Sequence, residues 1–125
     1  EIKRKKLEKK YSYSGYDIDD NFLSIAREYL PELKNKIQVL DIEKETPSSA
    51  QITICSATFE HLDDPDKSLN NIFDSTTEHI ILRTMIGSND KRFIQSDSRF
   101  VNQPYNINQY GLFEMSEKFF ERGFI

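Results

Sequence analysis

The feature that most constrains how this chain can fold is a repeated figure: a short apolar run, a polar residue that closes it, then a helical or polar stretch. Residues 11–18 are rich in Tyr with little charge and close on Asp17, Asp19 and Asp20. Ile37-Gln38-Val39-Leu40 closes on Asp41, residues 51–56 close on Ser56, and residues 78–86, continuous at Ile80-Ile81-Leu82, form a fourth run. Runs of this length bounded by turn-forming residues read as strands. The intervals carry a different period. Phe22, Ile25, Ala26, Tyr29 and Leu30 recur at three- and four-residue spacing until Pro31, and Leu69, Ile72 and Phe73 do so after Asp63-Asp64-Pro65. Two helices are predicted there, each with one buried face, and Asp19 or Asp20 can cap the first.

Residues 3–10 read as the last turns of an earlier helix, with cations near its C-terminal end. Residues 113–122 predict a final helix stopped by Gly123, after which Phe124-Ile125 resembles the opening of another strand. Residues 41–49, with Pro47, Ser48 and Ser49, read as a loop, and residues 87–111 as a long connection. This alternation of strand and helix predicts an α/β fold: a doubly wound, mostly parallel sheet with helices on both faces. The continuous fourth run fits a strand covered on both sides. Ligands of such sheets sit outside the carboxyl ends of the strands, so the residues that close each run carry the functional information.

With 125 residues, 37% hydrophobic and 30% charged, residues 1–125 are expected to make one domain with one core. Residues 1–10 hold six basic and two acidic side chains, so the net charge of −4 leaves −8 on the remainder. An acidic body repels phosphate, and no basic, aromatic-interleaved surface follows Lys3-Arg4-Lys5-Lys6, so neither nucleic acid nor membrane is the expected partner. No apolar run approaches the roughly 20 residues of a membrane span. The single Cys55 has no internal disulfide partner and fits a small apolar packing role in a reducing compartment, so a cytoplasmic location is expected. The start at Glu1 without Met and the stop at Ile125 suggest a truncated domain. Oligomeric state is left open by the sequence.

Asp17 and Asp41 close the first two strands. An ionised carboxylate offers two acceptor oxygens, enough for both hydroxyls of a ribose, and a second acid can accept from an adenine amino group. Either acid alone is equally explained as a helix cap. After the third run comes Ser56-Ala57-Thr58-Phe59-Glu60-His61, in which His61 is a candidate base or a residue that orders its own loop. Arg83 and Thr84 close the fourth run. Arg83 can bind an anionic substrate group, or pair with Asp41 or Glu60. Tyr105, Tyr110 and Phe113 can line an apolar pocket, or simply cover the sheet edge. His79, at the opposite end of the fourth run, reads as structural.

Taken together, Gly15-Tyr16-Asp17-Ile18-Asp19, Ile25-Ala26-Arg27, Val39-Leu40-Asp41-Ile42-Glu43 and Ile54-Cys55-Ser56-Ala57-Thr58-Phe59-Glu60-His61-Leu62-Asp63-Asp64-Pro65 resemble the middle of a class I, Rossmann-like S-adenosylmethionine-dependent methyltransferase. The resemblance implies S-adenosylmethionine as cofactor, with Asp17 on its ribose, Asp41 on its adenine amino group, Ile18 and Ile42 flanking the ring, and Ser56 near the methionine portion. Leu82-Arg83-Thr84, Gln103-Pro104-Tyr105 and Gln109-Tyr110-Gly111 are similar to a smaller methyltransferase group, which implies a substrate lid over residues 87–111, with Arg83, Tyr105 and Tyr110 meeting the substrate. Some quinone O-methyltransferases carry an extra acid near the Glu-His pair that helps hold a metal; Ala57 stands there in this chain, and no metal is expected. The family's Gly-rich loop has no counterpart among Gly15, Gly87, Gly111 and Gly123, and would lie upstream.

Methyl transfer from a sulfonium is an in-line displacement in which positioning supplies much of the rate, so no universal catalytic residue is required. A base helps when the acceptor is a hydroxyl, and His61 is the candidate. The expected function is transfer of a methyl group to a small molecule, at oxygen. The alternatives are a Rossmann-like binding or assembly module without catalysis and a nicotinamide-dependent dehydrogenase. The Glu60-His61-Leu62 segment argues against the dehydrogenase.

Overall fold

The computed structural model describes residues 11–96 and 104–124. The helix expected over residues 3–10, Gln103 and the strand opening at Ile125 lie outside the described residues. Strands β1 (Gly15–Asp17) and β2 (Ile37–Val39) pair in parallel, with Asp17 opposite Val39. A second parallel pair joins β3 (Ala50–Ser56) to β4 (Thr76–Arg83), with Ser56 opposite Arg83. The third sheet has β7 (Tyr105–Gly111) at its centre, parallel to β5 (Ile86–Gly87) and antiparallel to β6 (Lys91–Gln95). Helices α1 (Asp20–Tyr29), α2 (Pro65–Ser75) and α3 (Leu112–Glu121) follow β1, β3 and β7.

Local chemistry accounts for the helix ends. The Asp19 side chain accepts from Asn21 N at 2.8 Å, so Asp19 is the cap and Asp20 the first helical residue of α1. Asp64 accepts from Lys67 N at 3.1 Å, and Pro65, which has no N–H to leave unpaired, opens α2. Helix α3 ends in a Schellman motif: Gly123 takes φ +81°, its N–H reaches Phe120 O at 3.0 Å, and Phe124 N reaches Phe119 O at 2.9 Å. The accompanying apolar contact is the Phe119–Phe124 ring pair.

The core joins Leu69, Ile72 and Phe73 of α2 to Phe59, Tyr110 and Met115, with Ile42, Cys55, Leu62, Ile80, Leu82, Phe119 and Phe124 packed against it. The three apolar positions expected to face inward from α2 all do. Burial of each such side chain is worth about 1.5–3 kcal/mol, which makes this cluster the main source of cohesion.

Several sequence expectations differ from the structure. Strand β1 spans three residues, Gly15–Asp17, and residues 11–14 are outside it. The continuous run Ile80-Ile81-Leu82 is not covered on both faces: Ile80 and Leu82 meet the core, while Ile81 is 53% exposed. Likewise α1 buries Leu23, whereas Phe22, Ile25 and Tyr29 of its expected inner face stay exposed. Among the described residues the parallel strands form two separate pairs, and the doubly wound sheet is not assembled from them. Finally, the described part of residues 87–111 is not an irregular connection but contains strands. Strands β6 and β7 make a hairpin whose five registered pairs run from Lys91↔Gln109 to Gln95↔Tyr105. Among the described residues no helix is long and apolar enough to cross a membrane.

Candidate functional site

The carboxyl ends of the parallel strands supply the site. Strand β1 delivers Asp17 and β2 delivers Asp41, and Leu40 N donates to Asp17 O at 3.0 Å, so the two strand ends are neighbours. Asp17 Oδ1 accepts from Asp19 N at 2.9 Å, while Oδ2 takes no hydrogen bond from another described residue. Asp41 is more committed: Oδ1 accepts from Glu43 N at 3.0 Å and Oδ2 meets Lys44 Nζ at 2.6 Å. The hydrogen bond from Lys44 holds the Asp41 carboxyl below its ordinary value, against the opposing effect of burial, and the same bond raises the Lys44 ammonium.

Two residues beyond Asp41, Glu43 Oε1 accepts from Asp63 N at 2.6 Å and Asp64 N at 2.8 Å. A carboxylate at the start of a helix meets unpaired N–H groups and the positive end of the dipole. Glu43 thereby ties the loop after β2 to the start of α2, with Asn71 Nδ2 donating to Ile42 O at 2.7 Å as a second tie. These contacts put the loops that follow β2 and β3 on one edge of the molecule.

At the end of β3, Arg83 Nε donates to Ser56 Oγ at 2.7 Å and Ala57 N to Arg83 O at 3.0 Å. Ala57 takes φ +57°, in the left-handed region that costs a residue with a Cβ roughly 1–2 kcal/mol. This reversal turns the chain into the 3-10 turn Phe59–His61. Thr84 Oγ1 donates to Glu60 Oε2 at 3.2 Å.

The β6–β7 hairpin clamps that turn. Asn108 Nδ2 donates to Leu62 O at 2.7 Å, Tyr110 Oη to Phe59 O at 2.5 Å, and Arg92 Nη2 to Asp63 O at 2.8 Å. The Asn106 amide donates to Asp63 Oδ1. Arg92 Nε also donates to Asn108 Oδ1 at 2.9 Å, which orients the amide that grips the turn. His61 Nδ1 lies 3.0 Å from Asn106 O, and the Tyr105 ring stands edge-on to the imidazole with centroids 5.3 Å apart. Burial pushes the Tyr110 hydroxyl up to about 12, and pushes the Cys55 thiol up as well.

The expected site residues are thus distributed in a definite way. Asp17 and Asp41 share one strand-pair end, Ser56 and Arg83 are hydrogen-bonded to each other, and His61 is held against Tyr105. Ile18 is exposed, whereas Ile42 is half-buried and packs on the core. Arg83 takes Ser56 as its partner, and Glu60 is taken by Thr84. Tyr110 sits in the core at 7% exposure, so it supports the turn from beneath rather than lining an open pocket. His79 is exposed on β4 beside a groove of about 1040 Å³ that Phe113 and Phe120 also line. Among the described residues no three His, Cys, Asp or Glu side chains gather closely enough to hold a metal ion. Sequence reasoning missed Glu43, Arg92, Asn106 and Asn108. The alternation in Tyr105-Asn106-Ile107-Asn108-Gln109-Tyr110 was a period-two signal that could have revealed β7.

A family model described as a methyltransferase domain matches residues 3–78 of this chain. No curated protein and no solved structure matches it.

Proposed function

The chain belongs to the methyltransferase-domain family, and from that premise we propose that it forms part of a class I enzyme that moves a methyl group from S-adenosylmethionine to a hydroxyl of a small molecule. The two parallel pairs are read as portions of one doubly wound sheet. The observation that carries the reading is the pair of acids, Asp17 and Asp41, at the carboxyl ends of adjacent parallel strands.

The donor set suits a nucleoside. The Asp17 carboxylate would accept from ribose hydroxyls, which carry protons and no charge. Asp41, held ionised by Lys44, would accept from the adenine amino group. Ile18 and the outward part of Ile42 would flank the ring, and Ser56 would lie toward the methionine portion. When bound, the cofactor supplies an electrophilic methyl group on a sulfonium. Arg83 and Tyr105 would meet the acceptor, and His61 would take its proton. Positioning by these groups converts a bimolecular displacement into an intramolecular one.

Calorimetry of the full-length protein with S-adenosylmethionine tests the proposal. Asp17→Asn should weaken binding by about 10- to 100-fold, the worth of hydrogen bonds to a charged acceptor. Binding indifferent to that substitution, or no binding by the unaltered protein, would sink it. A second reading, an assembly module without catalysis, draws on the exposed apolar side chains Phe113, Phe120 and Ile54. It requires that the protein fail to bind the cofactor.

A further inference from the structure

We propose that the β6–β7 hairpin sets the tautomer of His61, placing the proton on Nδ1 and leaving Nε2 as the nitrogen that accepts one. This rests on the reading of His61 as the base, and it adds Tyr105 and Asn106 as positioning residues that act through the imidazole.

Asn106 meets the ring through its backbone carbonyl, a group that only accepts. A contact of 3.0 Å between that oxygen and Nδ1 therefore needs a hydrogen on Nδ1. A neutral imidazole carries a single N–H, so Nε2 keeps its lone pair. The carbonyl is well anchored. Asn106 is registered with Ile94 across the hairpin, and its side-chain amide binds Asp63, two residues beyond His61. On the other side of His61, Tyr110 and Asn108 hold Phe59 O. The turn is thus gripped before and after the histidine. The edge-on Tyr105 ring opposes rotation of the imidazole about χ2. A ring rotated by half a turn would present a carbon to Asn106 O and lose the bond.

The consequence for transfer to a hydroxyl is a defined proton path. The acceptor's O–H proton passes to Nε2 of His61, an oxygen lone pair forms the new bond to carbon, and the carbon–sulfur pair returns to sulfur. The resulting imidazolium gives its proton to water. With the proton on Nε2 instead, the ring would offer the acceptor a donor and take nothing.

The chain contains only two histidines, His61 and His79, which makes the tautomer directly measurable. In the full chain labelled with nitrogen-15 in the imidazoles, and with His79→Gln used to assign the signals, His61 should show the protonated, pyrrole-type shift at Nδ1 at a pH where the ring is neutral. A pyrrole-type shift at Nε2 overturns the proposal. Tyr105→Leu should move His61 toward a mixture of tautomers and lower kcat roughly tenfold with KM for the cofactor unchanged, and Tyr105→Phe should restore both. A tautomer unmoved in Tyr105→Leu would remove Tyr105 from the positioning role. Methyl transfer that survives His61→Ala undiminished would refute the base reading while leaving the measured tautomer as it stands, so the two failures are distinguishable.

Discussion

Tyr110→Phe isolates the contact on which the clamp depends. The hydroxyl donates to Phe59 O at 2.5 Å, from a ring that is 7% exposed and packs edge-on against Phe59 with centroids 6.1 Å apart. The substitution keeps the ring and its apolar burial and removes one hydrogen bond. Phe59 O retains weaker partners in Leu62 N and Asn108 Nδ2, both at 3.4 Å, so the carbonyl is not orphaned. The expected loss at pH 8 is about 1 kcal/mol. The same burial raises the hydroxyl from 10.0 to about 12. A folded value above the unfolded one stabilises fully below pH 10 and is lost as pH rises from there toward 12. Two units are worth about 2.7 kcal/mol at full burial, and retained solvent contact at the cluster's edge reduces this to about 1.5. The variant lacks this group. Its deficit should therefore shrink above pH 10 and change sign near pH 11, at about 1 kcal/mol of lost wild-type stability. Urea denaturation of both proteins from pH 8 to 12 measures it, and contributions from other titrating groups cancel in the difference. A deficit that stays constant to pH 12 would refute the account of Tyr110 as a buried hydroxyl.

Ala57→Gly should stabilise the protein by about 0.5–1 kcal/mol in the same assay, because glycine adopts φ +57° without the Cβ clash while giving back part of the gain as chain entropy. Ala57→Val should destabilise it. Glu43→Ala should cost about 1.5–3 kcal/mol by leaving Asp63 N and Asp64 N without their charged acceptor, whereas Glu43→Gln, which keeps an oxygen, should cost about half as much. Equal losses from the two substitutions would mean that a neutral oxygen contributes nothing at the start of α2, and no loss from Glu43→Gln would mean that the charge contributes nothing.

The clamp bears on how the proposed site works. A lid moves, but β7 belongs to the same cluster as α2 and α3 through Tyr110. The segment from Phe59 to Asp63 is therefore held from beneath by Tyr110 and from the side by Asn106, Asn108 and Arg92. Groups kept in place by such second contacts hold their geometry far better than those on a free loop.

What the sequence determined by itself is what depends on neighbours along the chain. Asp19, Asp64 and Pro65 begin their helices and Gly123 ends one, because capping is satisfied within a turn or two of backbone. The acids closing β1 and β2 were legible for the same reason: a strand's end is marked by local composition. So was the inward face of α2, read from spacing alone. Tertiary structure decided everything that needs a distant partner. Tyr105 and Tyr110 are five residues apart on one strand, yet one touches His61 while the other enters the core, because odd and even positions are sorted by what lies against each face. The amides of Asn106 and Asn108 concealed β7, since their value lies in the Asp63 carboxylate and the Phe59 and Leu62 carbonyls, more than 40 residues earlier. The pairing of Ser56 with Arg83 follows from register between β3 and β4. The exposed faces of α1 and β4 are the converse case: periodicity names the side of an element that can be buried, and only packing supplies something to bury it against.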